Sequence, residues 1–386
     1  MHSSQQFDYL IFIGRFEPFH QGHHYVITQA LAHARQVIVL MGSANSPRTI
    51  KNPFHPNERQ AMILNSFEKN RERIHCLGIN DATYNDNKWL IEVQNAIVSI
   101  TANTPNERIG IIGHDKDESS YYLALFPQYK TFMVKNFEHI SATPIREAYF
   151  GDDSAKKQAS FSQLTKACIE FLTAFEHTKA YHRIKQEYQH IQAYQAAWQT
   201  APYPPNFITS DALIVQSGHI LLIERGGEYG QGLYALPGGF VDTNEDFYQA
   251  CLREVHEETN LDISLLKNSL ITATLFDAPK RSQRARTVTM VYYFELPKQQ
   301  TLPDVQAGDD ANRAFWLPLS ELNAVQMFED HYGIICQLLK IWLRQHAKFK
   351  MWLFCHILNS CQNINKRCSV MHRYERYLFK LCKQLI

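Results

Sequence analysis

Two histidines, His20 and His23, stand in the run Gly14-Arg15-Phe16-Glu17-Pro18-Phe19-His20-Gln21-Gly22-His23-His24, and their setting points to phosphate. An apolar, β-prone run from Tyr9 to Ile13 precedes Gly14, which lets the backbone turn and come close to a ligand. A helix is expected from about His23 to His33. Both imidazoles would then face its first turn, where free N–H groups and the positive end of the dipole favour polyphosphate. Histidines that merely cap or pack the helix are the alternative. Far along the chain, Ile140-Ser141-Ala142-Thr143-Pro144-Ile145-Arg146 follows an expected strand, Thr131 to Val134, and opens another helix. Thr143 suits its N-cap, because a residue before proline is pushed out of the helical region, and Pro144 suits the first helical position. Hydroxyls, bare amides and the Arg146 guanidinium would make a second anion cradle there, able to grip phosphate by two parallel hydrogen bonds.

A third constellation has the chemistry of a metal site. Gly239 is followed after five residues by Glu245 and, after seven more, by Arg253-Glu254-Val255-His256-Glu257-Glu258, ending in Thr259-Asn260-Leu261. On a helix Glu254 reaches Glu257 at i+3 and Glu258 at i+4, so three carboxylates share one face. Like charges so placed destabilise a bare helix by roughly 0.2–0.5 kcal/mol per pair, and a hard divalent cation with oxygen ligands removes that repulsion. A solvated acidic helix is the alternative, and the spaced Gly239, Glu245 and Arg253 weigh against it.

The elements that must hold these groups follow from the pattern of the chain. At 386 residues it is too long for one ordinary core. A formal net charge of +1 gives no pointer to nucleic acid. With no signal-peptide run and no apolar stretch able to span a bilayer, no membrane partner is expected and the protein should be cytoplasmic. Cys76, Cys168, Cys251 and Cys336 are scattered without zinc-site pairing, so reduced thiols are expected. Up to about Phe150, strands (Tyr9 to Ile13, Gln36 to Met41, near Ile74 to Leu77, Arg108 to Ile112) alternate with helices (to about Arg35, from Pro56, Trp89 to Ile100). That alternation predicts an α/β fold of right-handed βαβ units around a parallel sheet. Its ligands lie beyond the carboxyl ends of the strands, where Gly14 to His23, Gly42-Ser43 and Gly113-His114-Asp115 fall. Helices are expected within Gln158 to Trp198, and Pro202-Tyr203-Pro204-Pro205 marks a boundary before a hairpin of Ser210 to Val215 and His219 to Glu224 around Ser217-Gly218. No P-loop motif is present, which disfavours a P-loop kinase.

The first pair of motifs, supported by Asn52-Pro53-Phe54, Glu58-Arg59 and Asn80-Asp81, resembles the HxGH nucleotidyltransferases, and within them the archaeal-type nicotinamide mononucleotide (NMN) adenylyltransferases. The resemblance covers roughly Tyr9 to Phe150 and implies a Rossmann-like domain over residues 1–150. It implies that His20, His23 and Arg146 bind ATP phosphates with the amides near Ser141 and Thr143, and that Gly14, Arg15 and Lys51 contribute contacts. Asn80-Asp81 would bind the carboxamide side of NMN, and Trp89 would stack on its nicotinamide, although a Trp on an amphipathic helix also suits a core. The reaction implied is attack of the NMN phosphate on the α-phosphorus of ATP, giving NAD and pyrophosphate.

The spaced Gly239-to-Leu261 segment resembles the Nudix box of diphosphate hydrolases, with Asn260 where that pattern has glycine. Asn is the next best residue for a left-handed helix end, so the helix should be preserved. The resemblance implies an α/β/α-sandwich over residues 206–346, metal ligands Gly238, Glu254, Glu257 and Glu258, and Mg2+ as cofactor with Mn2+ able to substitute. Arg281, Arg284 and Arg286, leading into strand Thr287 to Phe294, resemble the substrate-binding arginines of ADP-ribose-type Nudix domains; a solvated strand lead-in is the alternative. With Phe328-Glu329-Asp330-His331, the chain to about His346 is similar to the bifunctional NMN adenylyltransferase/Nudix hydrolase family, whose second activity cleaves ADP-ribose to AMP and ribose 5-phosphate. Residues 151–205 form a helical extension and linker in this scheme, and 347–386 a basic tail with Cys355, Cys361, Cys368 and Cys382 and no assigned role. Two other readings stay open: transfer of AMP to a flavin or pantetheine phosphate, and a Nudix module that senses ADP-ribose without cutting it.

Overall fold

The computed structural model describes residues 6–102, 104–113, 125–308 and 311–340; His114-Asp115 and the 347–386 tail lie outside them. Strand β1 (Phe7–Gly14) leads through a turn into α1 (Gln21–His33), followed by β2 (Ala34–Met41), α2 (Pro56–Asn65), β3 (Ile74–Gly78), α3 (Asp86–Thr101), β4 (Ile109–Gly113) and β5 (Lys130–Met133). The five strands form one parallel sheet in the order β3-β2-β1-β4-β5. Central strands buried on both faces need continuous apolar runs, and Leu10 to Ile13, Val37 to Met41 and Ile109 to Ile112 supply them. The strand order reverses between β1 and β4, so the turn after Gly14 opens onto the switch point where such sheets bind ligands.

Three helix starts differ from expectation, and one of them is α3, which begins at Asp86 rather than Trp89 behind an Asn85 cap. Helix α1 begins at Gln21 rather than His23, because His20 is itself the N-cap, with extended φ −135° and ψ 173°, and its ring accepts from the His23 N–H. Helix α4 (Ala142–Phe150) is capped by Ser141, not Thr143. Pro144 thus stands third in the helix, still within the first turn, where its missing N–H leaves no bond unmade. Thr143 uses its hydroxyl to accept from Arg146.

Helices α5 (Ser154–Phe161), α6 (Lys166–Phe175) and α7 (Lys179–Ala197) follow, then β6 (Asn206–Gln216), β7 (His219–Arg225), β8 (Tyr234–Ala235), β9 (Gly238–Phe240), α8 (Phe247–Thr259), β10 (Leu270–Phe276), β11 (Arg286–Glu295) and β12 (Ala311–Pro318). The second sheet runs β10-β11-β6-β7-β12, with β8 beside β7 and β9 beside β6; only β6 and β11 pair in parallel. Ser217 and Gly218, both with positive φ, make the tight β6–β7 turn. Helix α8 packs Cys251 and Val255 against Ala212, Ile214 and Phe294 of this sheet. It ends at Asn260 in the left-handed conformation, φ 50° and ψ 22°, as the sequence predicts. All this packing belongs to the compact unit Met1–Cys336, and one apolar cluster in it joins Phe12, Met62 and Phe175 to Ile223, Leu233 and Phe328. Cys76, Cys168, Cys251 and Cys336 are free thiols.

Candidate active sites

The two distant motifs of the front half converge. Arg146 on α4 donates from one Nη to the Glu17 carbonyl at 2.6 Å, in the turn that carries His20, and from the other to Thr143 Oγ1 at 3.1 Å. The His20 and His23 rings stack 3.6 Å apart. A Cβ at Gly22 would lie 3.1 Å from the His20 ring, so a side chain there would press the ring aside by a few tenths of an ångström. Burial lowers the pKa of Arg146 to about 10, and nearby Arg15 adds to the effect. Arg146 is buried and Arg15 is exposed, and a desolvated guanidinium with a second one near it favours an anion between them.

Beneath the turn lies a pair that sequence reasoning did not single out as functional. Arg59 Nε stands 3.2 Å from Glu17 Oε1, both fully buried. Arg59 also donates to the carbonyls of Arg15 and Gly42, and Glu17 accepts from the Phe54 N–H. The backbone ends of β1 and β2 are thereby tied together behind the histidines. Glu17, set among Phe16, Pro18 and Phe19, carried a sequence signal, whereas Arg59, beside Asn57, Glu58 and Gln60, carried none.

Lys51, Asp81, Asn45 and Ser46 line a cavity of about 660 Å³ whose other wall is Tyr229, Lys280, Arg281, Glu329 and Asp330 from the second half. Lys51 has its pKa lowered by desolvation in this cleft and by Arg15, with Asp81 opposing. Asp81 is fixed by the Ser43 N–H and the Ser46 hydroxyl at 3.2 and 3.3 Å. Asn80 donates its backbone N–H to Glu92. Trp89 is half-buried and packs beside Phe126, so at least part of its ring serves the core.

The second cavity, about 420 Å³, is lined by Gly238, Gly239, Glu254, Glu258, Asp211, Arg225, Arg284 and His331. Backbone is pressed onto the carboxylates here: a Cβ at Gly239 would lie 2.4 Å from Glu254 Oε1, and one at Gly238 would lie 2.4 Å from Asp211 Oδ1. Glu258 accepts from the Gly238 N–H at 2.9 Å. Its pKa is pushed up to about 8, chiefly by burial and further by Glu254, against the pull of the Gly238 N–H. Burial also raises Glu254 and, to about 6, Asp211.

Glu257 is placed differently from the other two. More than half exposed, it pairs with Arg253 at 2.9 Å, while Arg253 also binds Glu245 and Glu254. Among the described residues no three His, Cys, Asp or Glu side chains already surround a cation position. The expected shared face of three carboxylates is therefore two inward groups and a third at the rim, joined through Arg253. The donor set still fits a hard divalent cation: two crowded, partly desolvated carboxylates gain most from one, and oxygen is the ligand it prefers.

The three expected substrate arginines separate. Arg284 lines the second cavity and lies over Tyr229 and Phe240, with its guanidinium 4.9 and 5.6 Å from the ring centres. Arg281 borders both cavities but is 8% exposed and bound to Asp330 by two hydrogen bonds, at 2.9 and 3.0 Å, which commits its fork to protein. Arg286 donates to the Asp277 carbonyl and lines neither cavity, because as the first residue of β11 it is held toward the β10 end. Asp211 and Arg225 were not foreseen, and His331 entered only as part of the Phe328-to-His331 segment, without a role. A carboxylate directly before the apolar run Ala212 to Val215 of an expected strand was the one available signal for Asp211.

A family model for cytidylyltransferase-like domains matches residues 11–148, and one for the NUDIX domain matches residues 207–338. The chain is 43% identical over 186 residues to the nicotinamide/nicotinic acid mononucleotide adenylyltransferase of Acinetobacter baylyi, covering 48% of this chain and 95% of that protein. It is 33% identical over 128 residues to the ADP-ribose pyrophosphatase of Methanocaldococcus jannaschii, covering 33% of this chain and 70% of that protein. The crystal structure of a bifunctional NMN adenylyltransferase/ADP ribose pyrophosphatase from Francisella tularensis matches with a TM-score of 0.80 at 34% identity, over 86% of this chain and 99% of that one. A second structure from that organism, complexed with AMP and a Mn ion, gives 0.79 at 33% identity with the same coverage. Two family models over separate halves of the chain, and one relative that spans both halves over almost its whole length, leave a single conclusion: the chain belongs to the bifunctional NMN adenylyltransferase/Nudix hydrolase family.

Proposed function

We propose that the protein transfers AMP from ATP to NMN, giving NAD and pyrophosphate, and separately hydrolyses ADP-ribose to AMP and ribose 5-phosphate. The observation that carries the first activity is the meeting of Arg146 with the His20–His23 turn. In the transfer, an NMN phosphate oxygen forms a bond to the α-phosphorus of ATP as the bond to the bridging oxygen of pyrophosphate breaks. No protein nucleophile is needed, so the residues act by placing two anions in line and offsetting charge on the departing group. His20, His23 and Arg146, with the first amides of α4 behind Ser141 and Thr143, hold the ATP phosphates. Gly14 lets the chain pass close to them, and Arg15 and Lys51 supply further positive charge. Asp81, which lines the larger cavity, and Asn80 beside it in the chain address NMN, and the exposed part of Trp89 offers a face to its base.

In the second activity a water oxygen bonds to one phosphorus of the ADP-ribose diphosphate as the bond from that phosphorus to the bridging oxygen breaks, the water's proton passes to a carboxylate of the site, and AMP and ribose 5-phosphate separate. Glu254 and Glu258, with Glu257 from the rim and Gly238, would hold the divalent cation, Mg2+ or in its place Mn2+. When bound, such a cation lowers the pKa of water and offsets diphosphate charge. Arg284 and the aromatic faces of Tyr229 and Phe240 suit the nucleotide end. Arg281 is reassigned from substrate binding to bracing Asp330, and Arg286 to the strand end.

Purified full-length protein given ATP with a panel of acceptors, and ADP-ribose in a separate assay, tests both halves. His23→Ala should lower NAD formation by roughly 10²–10³-fold, and Glu258→Gln should do the same to ADP-ribose cleavage. Each variant should spare the other reaction. Turnover of a flavin or pantetheine phosphate without turnover of NMN refutes the first assignment. ADP-ribose binding without cleavage refutes the second.

A further inference from the structure

His331 lies in the second cavity and has no part in the chemistry above. It is 5% exposed and borders the cavity together with Glu254, Glu258, Arg225 and Arg284. Its Nδ1 accepts a hydrogen bond from the Leu236 N–H at 3.0 Å. A backbone N–H can only donate, so Nδ1 carries no hydrogen and the neutral ring bears its proton on Nε2. The Phe328 ring packs edge-on at 5.6 Å and helps to hold that orientation. Burial lowers the imidazole pKa to about 3; Asp330 opposes this, and Arg281, Arg225 and Arg284 reinforce it. The ring is therefore a neutral donor at any ordinary pH.

Among the described residues the ring's one hydrogen bond is the one at Nδ1, which leaves the Nε2–H available to whatever occupies the cavity that the ring borders. Its surroundings specify what would satisfy it. Arg225 and Arg284 are among the arginines that provide positive charge, and Glu254 and Glu258, suited to a cation, line the same cavity. A protonated, cationic histidine here would repel that cation. A neutral N–H can bind an anionic oxygen beside the cation without doing so.

We infer that His331 is a substrate-binding residue of the hydrolase site, its Nε2–H donating to an oxygen of the diphosphate substrate. The inference rests on the hydrolase reading given above. It is tested in the full chain with His331→Asn, His331→Gln and His331→Leu, measuring ADP-ribose hydrolysis in Mg2+ and adenylyl transfer in the same preparations as a check on folding. An Asn oxygen takes the place of Nδ1 and keeps the acceptor for Leu236, whereas a Gln amide nitrogen takes the place of Nε2 and keeps the donor. His331→Asn and His331→Leu should lower kcat/KM for ADP-ribose about 10- to 100-fold, the effect of losing a hydrogen bond to a charged oxygen, chiefly through KM. His331→Gln should stay near wild type. The opposite pattern, with Asn tolerated and Gln impaired, would show that the ring only braces Leu236 and would overturn the inference, as would three variants all equal to wild type. If the wild-type protein leaves ADP-ribose intact, the hydrolase reading falls instead. Calorimetric binding of ADP-ribose then decides: weakened by Asn and retained by Gln upholds the donor, and equal affinities remove it.

Discussion

Tyr84, in the loop before α3, donates its hydroxyl to Asp330, a residue 246 positions later in the second half of the chain. Asp330 also takes both hydrogen bonds from Arg281, so one carboxylate receives a phenol and a guanidinium at the seam between the two sheets. Burial and the adjacent Asp330 charge keep the Tyr84 phenol protonated, pushing its pKa well above the usual range. Burial works against the Arg281 charge, but Asp330 and Asp211 more than compensate and hold it ionised.

Removing the two partners should therefore have unequal effects. Tyr84→Phe deletes one hydrogen bond to a charged group and should cost about 1–3 kcal/mol. Asp330→Ala leaves the buried Arg281 guanidinium unpaired and should cost about 3–5 kcal/mol. Urea denaturation of both variants measures the difference, and equal losses would mean that the pair does not anchor this seam.

Glu187 on α7 gives a dependence on pH. It is 2% exposed, its Oε1 has no hydrogen-bond partner among the described residues, and burial raises its pKa to about 7 although Arg183 opposes. A carboxyl whose folded pKa is raised gives stability that is complete below its unfolded value, near 4.5, and lost as pH climbs through about 7. Glu187→Gln should flatten the stability profile across that interval and make the variant the more stable protein at pH 8. Thermal melts at pH 5 and pH 8 provide the comparison, and an unchanged slope would count against it.

Metal removal should separate binding from folding. Chelation is expected to abolish ADP-ribose cleavage, with recovery on adding Mg2+ or Mn2+, while circular dichroism stays unchanged. Titration with Mn2+, followed by electron paramagnetic resonance, should show weaker binding in Glu258→Gln. The loss should at least match the roughly 10- to 100-fold seen when only an outer partner of a metal site is removed. Undiminished affinity would take Glu258 out of the ligand set.

At the end of α8, Asn260 holds the left-handed conformation. Asn260→Gly should be neutral or slightly stabilising, whereas Asn260→Val should cost roughly 1–2 kcal/mol because a β-branched side chain clashes there. Denaturation midpoints would settle the order of the three proteins.

The parts of this molecule that depend on near neighbours were legible in the sequence. The β1-turn-α1 unit, the β6–β7 hairpin and the left-handed end of α8 each follow from residues a few places apart. The α4 cap was misplaced by two residues because the first turn of a helix tolerates proline at several positions. What could not be read were pairings across long separations: Arg281 with Asp330, Tyr84 with Asp330, and Arg59 with Glu17. Such choices are made by tertiary packing, where a guanidinium takes whichever carboxylate the fold delivers. For the same reason Arg281, Arg284 and Arg286 looked alike in the chain and have three different fates in the structure.

The apolar cluster that links Phe12 and Phe175 with Leu233 and Phe328 has a practical outcome. Neither catalytic half owns a complete interior, so cutting the gene between them would expose oily surface on both fragments and invite clumping. Warmed gradually, the intact enzyme should lose its two activities at the same temperature.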